Sequence, residues 1–118
     1  MSTPKITLKL SKSTGLGTLT FKNKTYNCGG LSTFNYPSDT TIDGYKEETH
    51  ISKEFVNDRG EPSVMPYSVL WIGQKGIYFH EYPTLEGSHG CIHLLSGDAK
   101  NFYDDVTGKA RVLFSWKD

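Results

Sequence analysis

Residues 68–73 and 76–81, SVLWIG and GIYFHE, constrain the fold more than any other part of the chain. Each is a near-continuous apolar run bounded by glycine, and only Gln74 and Lys75 separate them. Apolar runs of this length read as strands, and strands with so few polar positions are covered on both faces. The Gln74-Lys75 connection predicts a hairpin, with His80 carried out to the end of its second strand where the chain opens into a loop.

The flanking sequence extends the β reading. Ile6, Leu8 and Leu10 alternate with polar residues, as do Leu19 and Phe21, across the turn at residues 15–17, which predicts an N-terminal hairpin. A strand over residues 25–28 follows an Asn23-Lys24 turn and ends at Gly29-Gly30. Near the other end, Ala99, Phe102, Tyr103 and Val106 fall at i, i+3, i+4 and i+7, with Ser96 and Asp98 as capping signals and Gly108 past the end. This spacing predicts one helix. Val112, Phe114 and Trp116 then alternate with their neighbours as a closing strand. An aromatic share of 13% and twelve glycines fit strands and tight turns better than a helical bundle.

Residues 32–66 give the weakest signal. Lys46, Glu47, Glu48, Lys53, Glu54, Asp58, Arg59 and Glu61 supply charge, and Ile51, Phe55 and Val56 are the only apolar anchors. A structureless loop of this length is unusual in a compact domain, so short strands or a helical turn walling a groove are expected.

The 118 residues fit a single domain over 1–118. Thirteen basic and thirteen acidic side chains balance, so the broad positive field used to bind nucleic acid is not expected. No apolar run approaches a membrane span, and the first residues lack the apolar core of a Sec signal. Two cysteines are too few for a disulfide scaffold.

Within this frame, residues 78–95, YFHEYPTLEGSHGCIHLL, hold three of the four histidines and one of the two cysteines. A thiol becomes a good nucleophile when an imidazole or several N–H dipoles lie close. His80 precedes Cys91 by eleven residues, and Pro83 and Gly87 between them allow the chain to fold back and bring imidazole to sulfur. The turn Ser88-His89-Gly90-Cys91 can aim successive N–H groups at a substrate oxygen.

At these residues the sequence resembles the L,D-transpeptidase catalytic domain family, whose signature is a histidine on a strand followed by Ser or Thr and then His-Gly-Cys. Here these are His80 and Ser88-His89-Gly90-Cys91-Ile92-His93. Met65-Pro66-Tyr67 resembles the segment before the family's histidine strand, and Asp98, Ala99, Phe102, Tyr103, Val106, Gly108 and Val112 resemble its following helix and strand. The resemblance implies a mainly β fold, an L,D-transpeptidase-like β-sandwich or barrel with one short helix after the cysteine. It implies acyl transfer or hydrolysis on peptidoglycan stem tetrapeptides through a thioester, with no cofactor. Cys91 would be the nucleophile and His80 the base, its tautomer held by the carbonyl of Glu81. N–H groups near His89, Gly90 and Cys91, with Ser88 in the same turn, would support the oxyanion. Taken as residues, Tyr82 reads first as packing that could also border the groove, and His93 stands where a substrate contact would fall.

Two departures stand out. The span between His80 and Cys91 is short for the family, so that side of the groove should be more open. His93 replaces the usual Arg or Asn, and an ordinary imidazole is mostly neutral at pH 7, which weakens any contact with a carboxylate. Peptidoglycan lies outside the cytoplasm, so the expectation is either that a leader has been trimmed from the sequence or that delivery takes a route other than Sec, as a secreted antibacterial effector with an immunity partner or as a phage product.

Other readings compete. His80, His89, Cys91 and His93 make a reasonable donor set for zinc, although ligands one residue apart strain a tetrahedral site. A wall-binding module that has lost turnover is the third possibility. Cys28 reads as a small core residue, with the caution that a disulfide to Cys91 would consume the nucleophile. His50 reads as a surface residue, and Trp71 and Tyr78 as packing.

Overall fold

The computed structural model describes residues 3–57 and 59–118, apart from the Glu54 side chain. The charges expected at Glu54 and Asp58 therefore lie outside the described residues. Among these residues nine strands form one sheet in the order β4-β9-β1-β2-β3-β8-β7-β6-β5. The N-terminal hairpin is β1 (Lys5–Leu10) and β2 (Leu16–Phe21), paired antiparallel, with Leu8 opposite Leu19. Alternation buries Ile6, Leu8 and Leu10 completely, each worth about 1.5–3 kcal/mol of transfer free energy. The turn into β3 (Lys24–Gly29) is centred one residue earlier than expected, on Lys22 and Asn23. Both have positive φ, as a two-residue hairpin turn requires.

The weakly patterned region is more ordered than its sequence suggests. It contains β4 (Asp39–Ile42), the eleven-residue β5 (Lys46–Val56) and the first half of β6 (Pro62–Ile72). The expected short strand is present as β4, but β5 and β6 correct the rest of that expectation, being the longest strands among the described residues. Their alternation is hard to read because β5 lies at the edge of the sheet and leaves Ile51 and Val56 exposed. In β6, Pro66 and the positive φ of Tyr67 interrupt the pattern.

Strand β6 leads to β7 (Ile77–Glu81) through a one-turn 3₁₀ helix, Gly73–Lys75, closed by Gly76 in the left-handed region. This replaces the simple two-residue turn, and the ladder slips between Leu70 and Ile72 to accommodate it. The sheet curls on itself. Trp71 of β6 donates its indole N–H to Thr40 of β4 at 2.8 Å, although the two strands are far apart in the sheet order. With a helix packed after the cysteine segment, this is the mainly β, half-barrel form of the expected fold.

After β7 the chain loops out and returns as β8 (Ile92–Leu94), parallel to β7. Such a strand is too short to recognise from its residues. Helix α1 (Asp98–Asp105) follows and buries Ala99 and Phe102. Its N-cap position is Gly97 with φ 88°, without a side-chain capping bond, so the capping signals read at Ser96 and Asp98 are corrected. The helix ends on the extended residue Val106 rather than on Gly108. Strand β9 (Ala110–Trp116) closes the chain parallel to β1. The inner face is one apolar cluster running from Ile6 through Phe79 and Phe102 to Val112. Cys28 lies wholly inside it as a free thiol, pushed up to about 12 by burial. No helix among the described residues is long and apolar enough to cross a membrane.

Candidate active site

The parallel register of β7 and β8 builds the site. Phe79 pairs with Ile92 and His80 with His93, which brings Cys91 alongside Tyr78. Side chains alternate across a strand, so Tyr78 and His80 share a face with Cys91 and His93. Phe79 and Ile92 point the other way, fully buried.

Cys91 is 4% exposed, at the floor of a cleft of about 500 Å³ that His80, Tyr82, His89 and His93 also line. Phe55, Val56 and Val64 from the β5–β6 hairpin form its apolar wall, the groove side expected of this region. The Cys91 Sγ lies against the backbone of β7, accepting the Tyr78 N–H at 3.4 Å and donating to the Gly76 carbonyl at 3.7 Å. Both cysteines are free thiols.

His80 is buried at 4% exposure, and its Nδ1 lies 2.8 Å from the Glu81 carbonyl. A carbonyl only accepts, so Nδ1 carries the proton and Nε2 of the neutral ring keeps its lone pair. Burial lowers His80 from the ordinary 6.5 to about 4, against a smaller opposing effect from the Glu81 bond. His93 is lowered to about 4 in the same way. The carbonyls of Thr84, Leu85 and Glu86 offset part of that burial, yet none is within bonding geometry of the buried His93 Nδ1. The two imidazoles stand 5.2 Å apart, and Tyr82 stacks on His93 at 4.2 Å. At neutral pH both rings are uncharged.

The turn before Cys91 is held from two sides. Ser88 Oγ accepts the Gly90 N–H at 2.9 Å and donates to the Cys91 carbonyl. Gly90 has φ +142°, and a Cβ there would come within 2.9 Å of Ile77 and 3.2 Å of Phe34. The Gly90 N–H, expected among the oxyanion donors, is bonded to Ser88 in this structure. His89 is exposed, with its ring 6.2 Å from Phe55 across the cleft.

The zinc reading loses its geometric basis: among the described residues no group of three or more His, Cys, Asp or Glu side chains converges as a metal site. His50 is also corrected. It is half-buried, bonded to Glu47 and stacked on Tyr78 at 4.2 Å. Sequence reasoning misses it because its partner Tyr78 is 28 residues further along the chain.

A curled sheet thus presents a cysteine and a neutral, tautomer-fixed histidine in one cleft. The chain belongs to the L,D-transpeptidase catalytic domain family, whose model matches residues 7–113. Solved structures share the fold. An L,D-transpeptidase from Mycobacterium smegmatis superposes with a TM-score of 0.67 at 18% identity, over 95% of this chain and 59% of its own. One from Stackebrandtia nassauensis gives 0.68 at 22%, over 97% and 56%. L,D-transpeptidase 3 from Mycobacterium tuberculosis, in complex with a faropenem-derived adduct, gives 0.68 at 20%, over 95% and 60%. The chain thus spans about three-fifths of the length of these structures. No curated protein matches the chain.

Proposed function

We propose that residues 1–118 form one catalytic domain, a cysteine acyltransferase or L,D-carboxypeptidase acting on peptidoglycan stem tetrapeptides. The observation that carries this reading is the pairing of His80 and Cys91 in one cleft, with Glu81 holding the His80 ring so that Nε2 is the basic atom. In the first step the thiol exchanges its bond to Gly76 for one to His80 and gives up its proton to Nε2. Sulfur attacks the carbonyl carbon of the diamino acid at stem position three, forming the C–S bond. The oxyanion is stabilised by backbone N–H groups of the turn, those of Cys91 and His89. The C–N bond to the terminal D-amino acid then breaks, and His80 returns the proton to the departing amine. An amine or a water takes the acyl group from the thioester. Tyr82 and His93 border the donor peptide, and the apolar wall from Phe55 to Val64 contacts its aliphatic parts.

Mass spectrometry of muropeptides incubated with the wild type and with Cys91→Ala tests the assignment. The wild type is expected to produce a cross-link, an exchanged D-amino acid or a shortened stem, and the variant none of these. Unchanged muropeptides with folded wild type would remove the assignment.

The proposal extends to an antibacterial role, with an immunity protein in the producing cell, because uncontrolled cleavage or exchange at stem peptides would deprive a wall of its cross-linking donors. Expression of the chain with an added periplasmic signal should damage a test bacterium, whereas the Cys91→Ala variant expressed in the same way should not. Equal growth of the two strains would argue against that role.

A further inference from the structure

The Gly90 carbonyl, one bond from the nucleophile's own nitrogen, is bound by a side chain from a distant part of the chain. Tyr36 donates its hydroxyl to the Gly90 oxygen at 2.7 Å and accepts the Leu31 N–H at 2.8 Å. The hydroxyl is buried at the Gly90 contact, and the residue is only 6% exposed. Its ring is fixed as well, stacked on Trp71 with centroids 5.2 Å apart and planes 8° apart, and packed against Phe34, Phe114 and Trp116. Phe34 in turn abuts Gly90.

The carbonyl of Gly90 and the N–H of Cys91 belong to one trans, planar peptide unit and point in opposite directions. A hydroxyl that fixes the first fixes the second. Ser88 holds the other polar group of Gly90 at the same time, so both sides of a residue in an unusual conformation are bound. Backbone in such regions persists only where its surroundings over-determine it. We propose that Tyr36 is a positioning residue for acyl transfer: its hydroxyl sets the Gly90–Cys91 peptide plane and so aims the Cys91 N–H that receives the oxyanion. This rests on the acyl-transfer reading of the site, which assigns that N–H its role. Tyr36 itself does not line the cleft.

The test separates attack that develops an oxyanion from attack that does not. Acylation of Cys91 by faropenem passes through a tetrahedral oxyanion, whereas its alkylation by iodoacetamide is a direct displacement at carbon and needs no such support. Tyr36→Phe keeps the stacked ring and removes the hydroxyl. Intact-protein mass spectrometry should show acylation slowed roughly 10- to 100-fold, near or below the loss from deleting a direct oxyanion donor. Alkylation should stay within about twofold of wild type, since thiol activation is not the step affected. Ser88→Ala, which releases the other side of Gly90, should show the same split if Tyr36→Phe fails to fold.

Unchanged acylation in the folded variants, or equal slowing of both reactions, would overturn the positioning role. Failure of the acyl-transfer reading has a different signature: wild-type protein that alkylates at Cys91 but is acylated neither by faropenem nor by stem peptide.

Discussion

Replacing His80 with Gln should lower acyl transfer by roughly 10²- to 10⁴-fold, the contribution expected of a positioned general base. In a buried site His80 is lowered to about 4, so at neutral pH the ring is uncharged and ready to take the thiol proton as attack begins. Glutamine retains much of the volume and a hydrogen-bond donor for the Glu81 carbonyl, but cannot take a proton. The loss should therefore appear in turnover more than in donor binding. Raising the pH should recover part of the variant's rate, because bulk hydroxide then supplies more thiolate. The wild-type rate should instead be insensitive to His80 between about pH 5 and 8 and fall as the pH drops through about 4, where the ring protonates. Rates measured from pH 4 to 9 for both proteins check this. A His80→Gln rate equal to wild type at pH 7 would remove the histidine from the mechanism.

The second large effect concerns stability in acid. His80 and His93 are both depressed from 6.5 to about 4 by burial. Between these values the unfolded chain binds more protons than the folded one, so stability rises with pH there. The stabilisation of the neutral rings is complete above about pH 6.5 and is lost as the pH falls towards 4. Each ring accounts for on the order of 2–3 kcal/mol over that interval, a substantial part of the roughly 5–15 kcal/mol typical of a domain. The rings stand 5.2 Å apart and each protonation opposes the other, so they titrate as a pair. The carboxyl of Asp39, held below the usual range by Arg111, contributes only at lower pH. Urea unfolding midpoints should therefore drop steeply from pH 6.5 to 4 in the wild type. His93→Leu should flatten roughly half of that slope, and it also removes the unpartnered Nδ1. An identical slope in His93→Leu would show that His93 titrates normally.

The parts legible in the residue pattern were those written in short range. The alternation of Ile6, Leu8 and Leu10, the apolar runs around Gly73 and Gly76, and the spacing of Ala99, Phe102 and Tyr103 each report their own element. His80 and the Ser88-His89-Gly90-Cys91 turn are likewise local in the sequence, and their residue types and spacing are where the proposed cysteine chemistry starts. Strands β4 and β5 were not legible, because an edge strand exposes side chains on positions that would otherwise carry the alternation. Nor was β8, whose three residues are too few to show a period. His50 and Tyr36 gave no signal at all: each is a single residue whose meaning depends on a partner far along the chain.

The amino-acid sequence by itself determines which groups are available for reaction, a thiol and an imidazole eleven residues apart, and that the chain around them is β. Only the tertiary structure decides what those groups are in a position to do. The parallel pairing of β7 with β8 puts Cys91 and His80 on one face, burial leaves both imidazoles neutral, Ser88 takes the Gly90 N–H, and Tyr36 holds the peptide beside the thiol. The reason is physical. Hydrogen-bond direction and desolvation are properties of neighbours in space, and a residue's neighbours in space are chosen by the packing of the whole sheet.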